Sequence, residues 1–484
     1  MSRRSCAPIA PRLPISPGGA DGLAAGVFPC KNEFVTTVSP TITPDPYAPW
    51  RIPDFRRYAF SWFLMMFSKH IEFAAVSLHL VKIFPSGGAA LALGIMALVQ
   101  ATPVMLLAIP GGQLADRFDR RLILLFSIGI TVIGSIGLLG VIVLEASATW
   151  IYVCLGFGAI GRALGSPARA SLLPQLVPAK IFANTVTWNS TAFYIATVTG
   201  PVVGGMLVAM SQARASFVPH FGPAIGGFLE IISYNAAVAF ILVLLCRLVA
   251  MMAVFMIRHR APARPDQPMT LNSIAAGARF VWRTKLILAT ITLDLFAVLL
   301  GGALYMLPIY AEDILKVGAS GYGLLRAADA AGAMCMALWL AHHPPLKRAG
   351  ITLIWAIIGF GAASIIFGVS TSFWLSLGMM FIIGAMDNIS VVVRHTLVQL
   401  LTPDEMRGRV SAINGIFIVA SNDIGGLRAG LVAWLVTPVF SVVSGGIGTI
   451  MVVIGAVCFW PQLLKIGSLD SIQPAAVQEP DRET

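Results

Sequence analysis

Twelve solid runs of apolar residues, each near 20 residues long, constrain this 484-residue chain more than anything else in it. About 20 helical residues cross a hydrocarbon core about 30 Å thick. The runs are Tyr58 to Ile83, Ala89 to Ala108, Leu122 to Leu144, Trp150 to Leu173, Phe182 to Met210 and Phe228 to Ile257. After a polar break come Leu286 to Ile309, Gly321 to Ala341, Gly350 to Phe367, Phe373 to Leu397, Val410 to Leu435 and Phe440 to Trp460. Hydrocarbon gives backbone N–H and C=O groups no partner, so the spans must be helices or barrel strands. Strands would need alternation over about 10 residues, which these runs lack. Composition agrees, because 11% charged residues against roughly 25% in a soluble domain cannot clothe a chain of this length in water. The expected fold is an all-α integral membrane protein with 12 transmembrane helices.

Several function classes drop out. The six cysteines (Cys6, Cys30, Cys154, Cys246, Cys335 and Cys458) are scattered, with neither a disulfide framework nor zinc spacing. The phosphate loop G-x-x-x-x-G-K-[ST], the H-E-x-x-H pair and the G-x-S-x-G elbow are all missing from the sequence. No catalytic residue, cofactor or metal is therefore expected, and an enzyme is not.

Lysine and arginine fix the expected orientation. With the N-terminus in the cytoplasm, inner segments carry Arg51, Arg56, Arg57, Arg117, Arg120, Arg121, Arg169, Lys180, the stretch from Arg258 to Lys285, Arg348, Arg407 and Arg409. The outer loops carry only Lys82, Arg214 and Lys316. Both termini are expected inside, and topology accounts for the net charge of +11 without a nucleic-acid partner. Residues 1–54 read as a disordered or misannotated tail and 466–484 as a flexible one. Between them lie 55–257, a cytoplasmic linker at 258–285 with an amphipathic stretch from Leu271 to Trp282, and 286–465.

The linker divides the spans six and six, which invites a test for duplication. A shift of 225 positions superposes Arg169, Leu172, Leu176, Pro178 and Asn189 on Arg394, Leu397, Leu401, Pro403 and Asn414, each set following the fourth span of its half. Two parallel, pseudo-symmetric six-helix bundles are the expected architecture.

Between the second and third spans stands Gly112-Gln113-Leu114-Ala115-Asp116-Arg117-Phe118-Asp119-Arg120-Arg121, and the fifth span contains Gly200-Pro201-Val202-Val203-Gly204-Gly205. The first resembles the G-x-L-A-D-R-x-G-R-R loop of the major facilitator superfamily, with Asp119 in place of glycine. The second is similar to that superfamily's G-P-x-x-G-G antiporter motif. Gly165 follows Arg162 by three residues, where the superfamily's fourth-span motif has four. Pro403-Asp404-Glu405-Met406-Arg407-Gly408-Arg409-Val410 is similar to the bacterial secretion-effector and enterobactin-exporter branch. The resemblance implies a secondary transporter working by alternating access, with the loop Gly112, Asp116, Arg117, Arg120 and Arg121 as its gate. The symmetry-related loop, Leu338 to Arg348, carries His342 and His343 instead of an acid, so only the first is expected to latch. In the fifth span, Gly200, Gly204 and Gly205 permit close helix approach and Pro201 removes a backbone donor, which serves packing as readily as ion exchange.

Ionisable groups within spans are costly and should face a passage or a partner. The first span holds Lys69, His70 and Glu72, the fourth Arg162, the seventh Asp294 and the tenth Asp387; these helices are those that the resemblance places around a central cavity. The 225-residue shift carries Lys69 onto Asp294 and Arg162 onto Asp387. The bases of the first half are thus expected to face the acids of the second across the path. Glu72, Asp294 and Asp387 are the candidate proton carriers. Glu72 has a competing reading as a neighbour neutralised by Lys69, as Arg326 has with Asp329; Asp294 has one as a member of a static ion pair, and Asp387 one as a structural partner of Arg162. His70 and His79 titrate in a suitable range but read as structural. Phe60, Trp62, Phe63, Phe67, Phe73, Trp188, Phe193 and Tyr194 are able to stack on cargo or simply to pack.

The expected activity is proton-driven export of a small amphipathic, drug-like or siderophore-like molecule by a monomer in a bacterial inner membrane. The proton gradient supplies the energy, and small molecule, protons and lipid are the partners. The alternatives are a proton-coupled importer and a non-transporting membrane sensor or assembly partner.

Overall fold

A computed structural model describes residues 45–84, 87–214, 237–258, 271–343, 348–465 and 467. The first half consists of α1 (Pro53–Ile83), α2 (Gly88–Arg117), α3 (Arg120–Val143), α4 (Ala148–Leu176), α5 (Phe182–Arg214) and α6 (Ala237–Phe255). An amphipathic helix α7 (Leu271–Arg283) follows. The second half holds α8 (Lys285–Gly301), α9 (Ala303–Ile309), α10 (Gly318–His342), α11 (Ala349–Val369), α12 (Phe373–Leu401), α13 (Asp404–Leu435) and α14 (Pro438–Phe459). Twelve spans among the described residues are long and apolar enough to cross a membrane, α8 and α9 together making the seventh. Residues 215–236 lie outside the described part, so the expected start of the sixth span at Phe228 does too.

Helix ends follow from side-chain chemistry. Pro53 opens α1 at a position whose missing N–H costs nothing, and Pro438 does the same for α14. The side chains of Asp119 and Thr437 accept from the backbone N of Arg121 at 2.9 Å and of Phe440 at 3.1 Å, capping α3 and α14.

The seventh span, read as one run from Leu286 to Ile309, is broken at Gly302 and continues through a π-turn, Tyr310–Ile314. Gly302 has φ +61°, and a Cβ there would lie 2.7 Å from that of Ala429, so both backbone and space require glycine. The break sets the start of α9 against α13.

The N-terminal boundary also moves. Asp45 to Ile52 is not tail. Ala48–Arg51 forms a 3₁₀ turn packed on α1 and α5 through Trp50, whose ring lies 5.6 Å from Phe55 and 5.4 Å from Trp188.

Within the first half α1 packs on α5 and α6, α3 on α4 and α6, and α2 on α4. Within the second α12 packs on α10 and α11, and α14 on α8 and α11. The halves meet mainly where α2 crosses α13 and α5 crosses α10. A Cβ at Gly94 would lie 3.2 Å from the Leu427 carbonyl and 3.3 Å from Gly430 Cα, and one at Gly205 would lie 3.2 Å from Gly323 Cα and against the Ala319 carbonyl. Shifting the contact between Gly205 and Ala319 by 225 positions gives that between Gly430 and Gly94. The duplication seen in the sequence is therefore present in the packing.

Candidate functional site

Two of the three candidate acids are already committed. Glu72 on α1 meets Arg247 on α6 at 2.8 Å, with 4% and 2% of the side chains exposed. Arg247 also donates to the Thr131 carbonyl at 3.1 Å and to Ser135, so the pair locks α1, α3 and α6 together. Asp294 on α8 meets Arg394 on α12 at 2.9 Å, again almost fully buried. Both pairs lie within their own half. This corrects two expectations: Lys69 is not the partner of Glu72, and Asp294 does not face the bases of the first half across a path.

The remaining mid-span charges form a looser group. Lys69 on α1 lies within electrostatic reach of Arg162, Asp423, Arg326 and Glu72. Arg162 on α4 donates from one terminal nitrogen to Gln100 Oε1 on α2 at 2.9 Å, and its other terminal nitrogen is buried without a partner among the described residues. Asp423 on α13 accepts from the Tyr305 hydroxyl at 2.8 Å, and Tyr305 sits edge-on to Phe73 with centroids 6.1 Å apart. Arg326 and Asp329 on α10 pair at 3.3 Å, as their spacing suggests. Asp387 on α12 has no ion pair or hydrogen bond among the described residues; its charged neighbours are Asp294, Asp329 and Arg394. Arg162 and Asp387, expected to face each other, thus have different surroundings.

The loop motif is tied to its own half. Arg121 donates from Nε to the Val254 carbonyl at 3.3 Å and from Nη2 to that of Phe255, and stacks 5.5 Å from the Phe255 ring. It therefore supplies hydrogen bonds to carbonyls at the end of α6. Asp54 accepts at 3.2 Å from the backbone N of Arg258, just beyond that end. Gly112 is part-buried in α2 and Arg117 is exposed; Arg120 keeps a buried Nε without a partner among the described residues. Nothing is described of the Asp116 side chain. In the fifth-span motif, Gly200 and Gly204 pack α5 on His70 and Ile71 of α1, while Gly205 and the Pro201 carbonyl pack it on Gly323 of α10. His70 Nε2 lies 3.2 Å from the Thr197 hydroxyl. On α10, His342 and His343 share hydrogen bonds with the Leu338 and Trp339 carbonyls at 2.8 and 3.0 Å.

The aromatic candidates divide. Trp188 on α5 is taken up by the N-terminal turn, donating to the Pro46 carbonyl at 2.9 Å. Trp62 stacks on Phe193 with centroids 6.5 Å apart and carries the Arg169 guanidinium 4.6 Å from its own centroid. Phe63 stacks on Phe67, Phe60 is half exposed, and the Tyr194 hydroxyl accepts from Asn388 Nδ2 at 3.1 Å across the two halves.

A family model described as a transmembrane secretion effector matches residues 45–220 and 217–483. The chain belongs to that family. The secretion-effector assignment agrees with an enterobactin exporter of Shigella dysenteriae, 25% identical over 71% of this chain and 77% of its own length. Among solved structures, a bacterial homologue of the human lysosomal transporter Spinster superposes with a TM-score of 0.63 at 15% identity, covering 87% of this chain and 96% of that one. A D-xylose–proton symporter gives 0.60 at 16%, covering 86% and 98%. The fold is that of the major facilitator superfamily, and this secretion-effector protein is a multi-pass membrane transporter with exporter relatives. Its departure from the superfamily loop, Asp119 for glycine, has a local cause in the α3 cap.

Sequence reasoning passed over Arg247 and Asp423 as intramembrane charges and used Arg394 only as a repeat marker. Arg247 stands alone in AVAFILVLLCRLVAMMAVF, and an isolated charge in so apolar a run was a readable signal. Tyr305 had none, because its role depends on the break at Gly302.

Proposed function

We propose that this protein is a proton-driven exporter of a small amphipathic molecule, working by alternating access in a bacterial inner membrane as a monomer, with no cofactor beyond the proton gradient. The reading rests chiefly on Asp387, the candidate acid left without a counter-ion when Glu72 and Asp294 are locked. A carboxyl at mid-span that is not committed to an ion pair is free to exchange a proton with whichever side the passage faces. The exporter relatives support the outward direction, and the enterobactin they carry suggests siderophore-like cargo. By the distribution of lysine and arginine, both termini lie inside and the glycine crossings at the starts of α2 and α10 form the outer closure.

Everted membrane vesicles carrying an acid interior and offered amphipathic dyes of either charge test the proposal. Wild-type protein should let a transported dye discharge the gradient. Asp387→Asn should abolish discharge while still exchanging labelled for unlabelled dye. Silence of wild-type vesicles across the dyes, outflow of dye together with protons, or full discharge by Asp387→Asn would overturn it.

A further inference from the structure

The duplicated positions carry an inversion of charge. In the second half, positions 294 and 394 hold an acid and a base that close at 2.9 Å. Their counterparts in the first half are Lys69 and Arg169, two cations, and cannot pair. Arg169 instead turns onto aromatic faces, its guanidinium carbon 5.9 Å from the Tyr58 centroid and 4.6 Å from that of Trp62. Lys69 keeps no hydrogen bond or ion pair among the described residues.

The surroundings leave this charge uncompensated. Arg247 is balanced by Glu72 and Arg326 by Asp329. His70 shares its contact with Thr197. Lys69 and Arg162 remain. Glu72 and Asp423 are the acids within reach of both; Glu72 is spent on Arg247, and the Asp423 carboxylate is engaged by the Tyr305 hydroxyl and makes no ion pair with either cation. Arg162 holds one terminal nitrogen buried and without an acceptor among the described residues. A mid-span cation without its counter-ion is costly, and an anion arriving between the halves would remove that cost.

We propose that Lys69 and Arg162 form an anion-binding subsite for the acidic group of the cargo, a carboxylate or acidic phenol carried on an aromatic body. The Phe73 and Tyr305 rings form its apolar wall, and Asp423 is the internal competitor that answers the two cations when cargo leaves. The subsite rests on the reading of these helices as a transport path. Its cations come from α1 and α4 and its second ring, Tyr305, from α9, so an anion bound there with its aromatic body touches both halves.

Equilibrium binding to the purified full-length protein tests this with three probes of one shape: naphthoate, its neutral carboxamide and naphthylmethylammonium. Naphthoate should bind about tenfold or more tightly than the other two, the difference one well-placed charge contact supplies. Lys69→Met and Arg162→Met should each remove that preference, and Asp423→Asn should tighten naphthoate severalfold without tightening the carboxamide. Lys69→Arg should keep the preference. Alkylation of Lys69→Cys with bromoethylamine, which rebuilds the ammonium, should restore it, separating lost charge from misfolding. Equal affinity for all three probes, or a naphthoate preference that survives loss of both cations, overturns the proposal. No gradient is used, so this failure would leave the exporter reading standing. Vesicles without proton exchange would remove that reading and leave the anion subsite.

Discussion

Gly205 in α5 and Gly430 in α13 stand 225 residues apart, and each lets its helix touch the opposite half at the counterpart place: Gly205 on Ala319 and Gly323 of α10, Gly430 on Ala90 and Gly94 of α2. The two crossings are one contact made twice. Helix association within a membrane depends on such close packing, since lipid tails are as apolar as leucine.

Gly205→Leu should wedge α5 from α10 and bias the protein toward the state in which this end is open. Overpacking of this kind costs about 1–3 kcal/mol, enough for a change of about 5–150-fold in the balance of states. A cysteine placed at Val202 should react slowly with an impermeant thiol reagent in the parent and fast in the Gly205→Leu variant, while Gly205→Ala should fall between. Unchanged reactivity in Gly205→Leu would show that the crossing does not hold this end shut.

Arg247→Met should be among the most destabilising single changes in the chain, because it strands the Glu72 carboxylate between α1, α3 and α6. Breaking a buried pair costs about 3–5 kcal/mol, whereas replacing both partners with apolar groups is often neutral. Glu72→Leu together with Arg247→Met should therefore recover most of the lost thermal stability in detergent. Proton-coupled flux should survive in the double variant, which would assign Glu72 to architecture.

Asp294→Asn should behave as a stability variant. It leaves Arg394 as an unpaired cation inside the second half, so the yield of folded protein falls, and Asp294→Asn with Arg394→Gln restores it. Flux per folded molecule should remain coupled to protons. Loss of coupling at normal yield would return Asp294 to the proton path.

Asp119→Ala removes the acceptor for the Arg121 N–H at the start of α3 and should cost about 1 kcal/mol. Asp119→Gly, the superfamily's own residue, should cost only about a few tenths. Thermal unfolding of the three proteins side by side measures both; an alanine variant as stable as the parent would mean the cap contributes nothing.

Twelve spans were legible because bilayer thickness writes itself into run length, and the duplication because Arg169, Pro178 and Asn189 recur at Arg394, Pro403 and Asn414. Charge partnerships were not. Glu72 stands one helical turn from Lys69, which local spacing favours, but its partner comes from α6. No periodicity within a helix reveals which face a helix more than 150 residues further on will present. The break at Gly302 escaped for a related reason. A lone glycine in an apolar run becomes obligatory only when another helix, here α13 at Ala429, crowds it.

The turn at Ala48–Arg51 is fastened to α5 by Trp188 and by Asn184, whose Nδ2 donates to the Asp45 carbonyl at 3.2 Å. The same α5 carries Gly205 at its far end. A rocking of the first bundle must then drag the chain's point of entry with it, as an oar handle follows its blade, and a fluorophore tethered beside Tyr47 would report each stroke from the opposite face of the membrane.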